Sequence, residues 1–372
     1  MKMRKYFFWS LYILILISNS FQPAVLWSQT SLEVLTKKDQ DVKSRLCGEP
    51  AIDLRAEQDL REYLAVNRSQ IPDQVVRVYF HICRNDDGTN PAATMEQIEA
   101  EFDDLVEDFS PGGICFANMG VNFVDDTEIN TSLNPDITED IQMLFPHLIE
   151  GSLDIFYHAS LLNYGGNAYA IPNGFCSVDQ SNIGLWRTIS HEVGHSLGLH
   201  HTFTDQFGKG YINGDSCLLT GDLVCDTSAD PYQNGGCFTA DTCLYTGFCT
   251  DPSGASNYSP PYINLMSYWG SEGCTLTQFT AGQYTRAKAL LASNAILSSF
   301  VAPYSIQLSN ETISSGIWLR AAVSSITTQQ NVNYDNSAEV SLQASSVIIL
   351  PGFEASPTSG IVRMGGTACD PN

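Results

Sequence analysis

The chain has 372 residues, 43% of them hydrophobic, and its 41 acidic against 18 basic side chains give a net charge of −23. That length and apolar share suit one large domain and a smaller one, while the excess of acid excludes nucleic acid and anionic membrane surfaces as partners, since both would repel it. Eleven cysteines point to disulfides, and therefore to a compartment outside the cytosol.

Lys2, Arg4 and Lys5 precede an apolar run from Tyr6 to Ile17, with polar and small residues following to Gln29. This pattern predicts a secretory signal over residues 1–28. The run is too short to span a bilayer, and no later stretch is long and apolar enough, so a secreted protein without a membrane span is expected. Residues 29–70, with one amphipathic helix over Asp53–Leu64, read as a pro-segment. Within it, Cys47 has two readings: a thiolate laid on the open position of a catalytic metal, or a disulfide partner.

Alternation of Val76, Val78, Phe80 and Ile82 with Arg77, Tyr79 and His81 predicts a strand with one buried face. Thr94, with Gln97 three residues on, opens a helix whose apolar stripe runs from Met95 to Phe109 before Pro111-Gly112-Gly113 ends it. Strands are predicted over 114–116, 121–124 and 153–157, with a short helix over Thr138–Phe145. Gly165 to Pro172 reads as an exposed strand edge able to pair with the backbone of a substrate. His81, His147 and His158 fall in strand or helix contexts and are expected to be packed or surface side chains.

The stretch His191-Glu192-Val193-Gly194-His195 repeats histidine at four residues among Ile189, Val193, Leu197 and Leu199, which places both imidazoles on one helix face. Glu192 lies about 100° further round, where its carboxylate can serve as general base without ligating a metal. Gly198 can adopt the left-handed conformation that ends a helix and turns His201 back toward the other two. Three histidines with an open fourth position define a catalytic zinc site. His200 is expected on the outside of the turn.

From Tyr211 to Pro260 the chain is rich in Gly, Asp, Asn and Cys. Cys176, Cys217, Cys225, Cys237, Cys243, Cys249 and Cys274 are expected to staple these loops, with one thiol of the eleven left over. Asp215, Asp222, Asp226 and Asp230 offer hard oxygen ligands for calcium, although solvated acids would look the same. Ile263 to Trp269 follows, with Met266 65 residues beyond His201, and Thr280 with Gln283 opens a second capped helix.

His191 to Phe203, Gly221 to Thr227, Asn264 to Tyr268 and Phe279 to Arg286 resemble, in this order, the pappalysin family of metzincin proteases, the ulilysin-like group. The resemblance covers roughly residues 70–292. It implies an α+β, two-lobed zinc-protease domain over residues 71–299, with an active-site cleft and a Met-turn placing Met266 beneath the metal. It implies zinc on His191, His195 and His201, endopeptidase action on protein or peptide substrates with Glu192 as base, and Tyr268 as a donor to the developing oxyanion. Calcium at Asp222, Asp226 and Thr227 and a latency role for Cys47 are also implied. Residues 300–372, with strands over 313–326 and 338–353 and Pro351-Gly352-Phe353, resemble small accessory β modules of secreted proteins. The rival expectation is a secreted binding or adhesion protein on an inactive protease fold, and a third is zinc hydrolysis of a non-peptide amide. Oligomeric state and cleavage preference are not legible.

Overall fold

The computed structural model describes residues 45–47, 50–67, 71–232, 237–240, 243–329, 331–357 and 361–365. The signal expected over 1–28 lies outside them, as do the side chains of Arg45–Cys47. Among the described residues no helix is long and apolar enough to cross a membrane.

Two short strands, β1 (Arg45–Cys47) and β2 (Ala51–Ile52), precede helix α1 (Leu54–Asn67). Asp53 starts that helix, its Oδ1 accepting from the backbone N–H groups of Arg55 and Ala56 at 2.9 and 3.1 Å. Next come β3 (Gln74–Arg84), α2 (Met95–Phe109), β4 (Ile114–Asp125), short helices α3 (Thr127–Thr131) and α4 (Thr138–Gln142), and strands β5 (Leu153–His158), β6 (Tyr164–Asn167), β7 (Ala170–Ile171) and β8 (Phe175–Asp179). The capping box expected at Thr94 and Gln97 forms in both directions. The strands expected over 114–116 and 121–124 are one continuous strand, with a register shift against β3.

A six-stranded sheet has the order β1-β6-β8-β5-β3-β4. β6 runs antiparallel to β8, whereas β8, β5, β3 and β4 are mutually parallel. The one-face expectation for β3 fails: Tyr79 and His81 are as buried as Val78 and Phe80. Val76, Val78, Phe80 and Ile82 pack on the helix side of the sheet, and Val75 and Tyr79 on the other side pack with Met119, Ala302 and Ala321, so both faces of β3 are covered, as parallel sheets require. His81 is satisfied there by Asn122 Oδ1 at 2.7 Å and Asp154 Oδ1 at 2.8 Å.

One face of the sheet packs on α2, on α5 (Thr188–Ser196) and on the segment around Leu265, Met266 and Phe279. A small hairpin, β9 (Phe238–Ala240) with β10 (Tyr245–Gly247), sits in the loop region, and α6 (Ala281–Ser293) closes the domain with the second expected capping box, Thr280 with Gln283. Disulfides Cys217–Cys225, Cys237–Cys249 and Cys243–Cys274 staple the loops. Cys176 is not a staple as expected. It lies in the interior of β8 as a buried free thiol, like Cys83 in β3.

The C-terminal strands stack in parallel. β11 (Ser305–Leu308), β13 (Ser325–Thr328) and β15 (Ser346–Ile349) form one sheet. β12 (Glu311–Ala321), β14 (Val332–Gln343), β16 (Phe353–Pro357) and β17 (Ile361–Gly365) form the other. Register pairs Ile306 with Ile326 and Ile326 with Val347, so apolar residues stack on their counterparts one coil later. Val75, Tyr79 and Met119 of the large sheet share an apolar cluster with Ala302 and Ala321.

Candidate metal centre

Every residue of α5 is buried. The helix begins after two non-glycine residues in the left-handed region, Trp186 at φ 49° and Arg187 at φ 55°, a conformation costing on the order of 1 kcal/mol or more at each. Arg187 is held there by carboxylates of α2: Asp104, Glu107 at 2.6 Å and Asp108 at 3.8 Å. Glu101 of the same helix accepts from the Gly184 N–H at 2.7 Å, and burial raises its pKa to about 7. α2 thereby fixes the approach to the histidine helix.

α5 ends where the sequence predicts. Gly198 has φ 90°, and the N–H groups of Gly198 and Leu199 donate to the carbonyls of His195 and Gly194, both at 2.8 Å. The chain turns back and brings His201 to the other two rings. The three Nε2 atoms lie 3.1, 3.2 and 3.0 Å apart (191–201, 195–191 and 195–201). His191 Nδ1 is 2.7 Å from the Leu265 carbonyl and His195 Nδ1 is 2.7 Å from the Leu199 carbonyl. A carbonyl only accepts, so each Nδ1 carries the proton and each Nε2 presents a lone pair. Burial lowers the pKa of His191 to about 4 and that of His195 well below its ordinary value, keeping both rings in the neutral form a metal needs.

A bound zinc fits this donor set. Zn–N bonds near 2.0–2.1 Å in a tetrahedral site separate the nitrogens by about 3.3 Å, close to what the rings show. Inward-facing lone pairs repel unless a cation sits among them. Among the described residues these histidines are the one group of three or more metal-ligating side chains near enough to share an ion.

The remaining expected residues are placed as follows. Glu192 is fully buried against β6, where a Cβ added at Gly166 would stand 2.5 Å from its Oε1. Met266 packs under the histidine helix, its Sδ 2.6 Å from where a Cβ of Gly194 would be, and its carbonyl accepts from the Thr202 N–H at 3.1 Å. The Tyr268 ring lies 4.8 Å from the ring of His201 and 5.9 Å from that of His191. The backbone of Cys47 pairs with Gly166, on the strand that borders Glu192.

One expectation needs revision. His200 is not outside the turn: it is buried, with Nε2 3.0 Å from both Glu57 Oε1 and Arg286 Nη2. The acids expected to hold calcium are engaged in part by the protein itself. Asp226 accepts from Thr280 Oγ1 at 2.7 Å and the Gly282 N–H at 2.8 Å, capping α6. Asp222 Oδ1 accepts from the Val224 N–H at 3.1 Å and burial raises its pKa to about 7, while Asp222 Oδ2 and Thr227 Oγ1 are buried without a hydrogen-bond partner. Asp230 joins the segment after His201 to the Met266 segment, accepting from Thr202 Oγ1 at 2.6 Å and Trp269 Nε1 at 3.2 Å. Trp186, Arg187, Leu276 and Arg286 were missed as site residues. Nothing local marks them, because each matters through a segment far away in sequence.

No family model matches the chain. It is similar to an extracellular metalloprotease of Colletotrichum graminicola, 28% identical over 60% of this chain and 78% of that protein. One from Podospora anserina is 28% identical over 59% and 73%, and one from Arthroderma benhamiae 27% over 58% and 71%. These similarities support a metalloprotease, and with the disulfides named above they are consistent with an extracellular protein. A solved mutant of Tannerella forsythia promirolysin is 18% identical and matches 68% of this chain and 95% of that one, with a TM-score of 0.44.

Proposed function

We propose that the chain is a secreted zinc endopeptidase of the pappalysin type, made as a zymogen, with His191, His195 and His201 holding the metal. The observation that carries this reading is the convergence of three buried Nε2 atoms within 3.2 Å of one another, beside a buried carboxylate. When bound, zinc supplies Lewis acidity toward the scissile carbonyl and its attacking water. Glu192 takes the proton of that water and returns it to the leaving amine. The Tyr268 phenol donates a hydrogen bond to the oxygen that gains charge. β6 holds the substrate by backbone pairing along its edge.

The zymogen part is supported by β1. Arg45 pairs with Tyr164 and Cys47 with Gly166, so residues 45–47 occupy the edge that a substrate would need. In this reading residues 29–70 are the pro-segment, Cys47 supplies the blocking ligand, and cleavage near Asn67-Arg68-Ser69 frees the cleft. Calcium stays outside the proposal, since the Asp226 oxygens already cap α6.

Glu192→Ala, compared with the wild type after cleavage of the pro-segment, tests the reading. The variant retains one zinc per chain by metal analysis, while turnover on a peptide library falls by about 10²–10⁴. Chelator abolishes the wild-type activity. Wild-type turnover in Glu192→Ala would sink the assignment of the base, and a purified chain without affinity for zinc would favour an inactive binding protein.

A further inference from the structure

The phenol of Tyr268 can serve a developing oxyanion only at hydrogen-bonding distance from it, so its place relative to the three imidazoles must be fixed. His201 and Tyr268 lie on separate segments. The Thr202 N–H donates to the Met266 carbonyl at 3.1 Å, which ties the two segments together at one point. A single bond of this kind is a pivot, about which either segment can tilt.

A second tie runs through Asp230. Its Oδ2 accepts from Thr202 Oγ1 at 2.6 Å, beside His201, and its two oxygens lie 3.2 and 3.3 Å from Trp269 Nε1, beside Tyr268. Oδ1 also accepts from the Tyr232 N–H at 3.1 Å. The Tyr232 ring stands edge-on to the rings of Tyr268, at 5.7 Å, and Trp269, at 5.5 Å. Phe203, stacked on His201 at 4.7 Å, closes another side of the Tyr268 ring at 4.6 Å. Trp269 is fully buried, so its indole cannot swing without moving close-packed neighbours. Desolvation raises the pKa of Asp230 to about 6, and near neutral pH the ionised carboxylate accepts from all three donors.

We infer that Asp230 is a positioning residue: by joining Thr202 to Trp269 it sets the distance from His201 to the Tyr268 phenol, and it acts on the reaction through Tyr268. The inference rests on the protease reading and deepens it.

The zinc-loaded chain, cleaved at its pro-segment, is assayed on a library peptide that the wild type cuts, with zinc measured in every variant. Asp230→Ala should retain its zinc, keep KM within about twofold and lose about 10–10² in kcat, the scale of a displaced transition-state group. Thr202→Val removes one tie at nearly constant volume. It should show a smaller fall of the same kind, which keeps the test alive if Asp230→Ala does not fold. Placed on Tyr268→Phe, either change should cost less than about threefold in kcat, because the hydroxyl it positions is already gone. Asp230→Asn, whose amide can donate to Thr202 Oγ1 and accept from Trp269 and Tyr232, should recover most of the loss.

Losses of equal size with and without the Tyr268 hydroxyl would overturn the inference and leave the protease standing. Wild-type kcat in a folded Asp230→Ala would do the same, as would loss of its zinc, since the residue would then act on the metal site instead. Absence of chelator-sensitive cleavage by the wild type would overturn both.

Discussion

Glu57→Gln separates the N-terminal helix from the domain it rests on, at a predictable cost. Glu57 of α1 is 4% exposed and pairs with the guanidinium of Arg286, itself 5% exposed. Burial pushes the Arg286 pKa down to about 9, so the guanidinium remains charged at neutral pH. Glutamine keeps the shape and an acceptor oxygen but removes the charge, and losing one partner of a buried pair costs about 3–5 kcal/mol. Arg286 Nε retains the Gly198 carbonyl at 2.7 Å, which favours the lower end. The loss is also capped, because undocking α1 lets water reach Arg286. The expected outcome is therefore local: a shift of about 3 kcal/mol raises the undocked fraction roughly 150-fold. Hydrogen exchange across Leu54–Asn67 should accelerate by that factor, while the amides of β3 and β5 keep their protection. Replacing both residues, as Glu57→Gln with Arg286→Met, should recover part of the loss. Unchanged protection of α1 in the single variant would refute the claim that this ion pair holds the helix down.

Further outcomes follow from the same packing. Gly198→Ala puts a methyl group into Leu290 at a residue with φ 90°; the strain and overpacking together cost about 2–4 kcal/mol. Thermal melting and a zinc competition titration should show both lower stability and weaker metal binding, because His201 depends on that turn. His158 is buried between the Ile129 carbonyl and Ser177 Oγ, and burial lowers its pKa from 6.5 to about 4. Between those values the unfolded chain binds a proton that the folded chain does not, so acidification through pH 6.5 down to 4 removes about 3 kcal/mol of stability. Urea unfolding at several pH values should show this slope lessened in His158→Gln, and an identical slope would assign the acid sensitivity elsewhere.

Local patterns carried much of this protein into view from its sequence. Both capping boxes, at Thr94 and Thr280, the turn at Gly198, and the gathering of His191, His195 and His201 depend on residues within a few positions of each other, where helix periodicity and the left-handed tolerance of glycine suffice. Tertiary structure alone decided the burial of both faces of β3, the free thiol of Cys176, the stacked coils after residue 305 and the burial of His200. It also decided that Glu57 meets Arg286, 229 residues away, and that Trp186 faces Leu276 across Gly270. The physical reason is the range of the forces involved. Backbone sterics and hydrogen bonds act along the chain and leave a pattern in it, whereas burial and ion pairing depend on which distant segments the fold brings together.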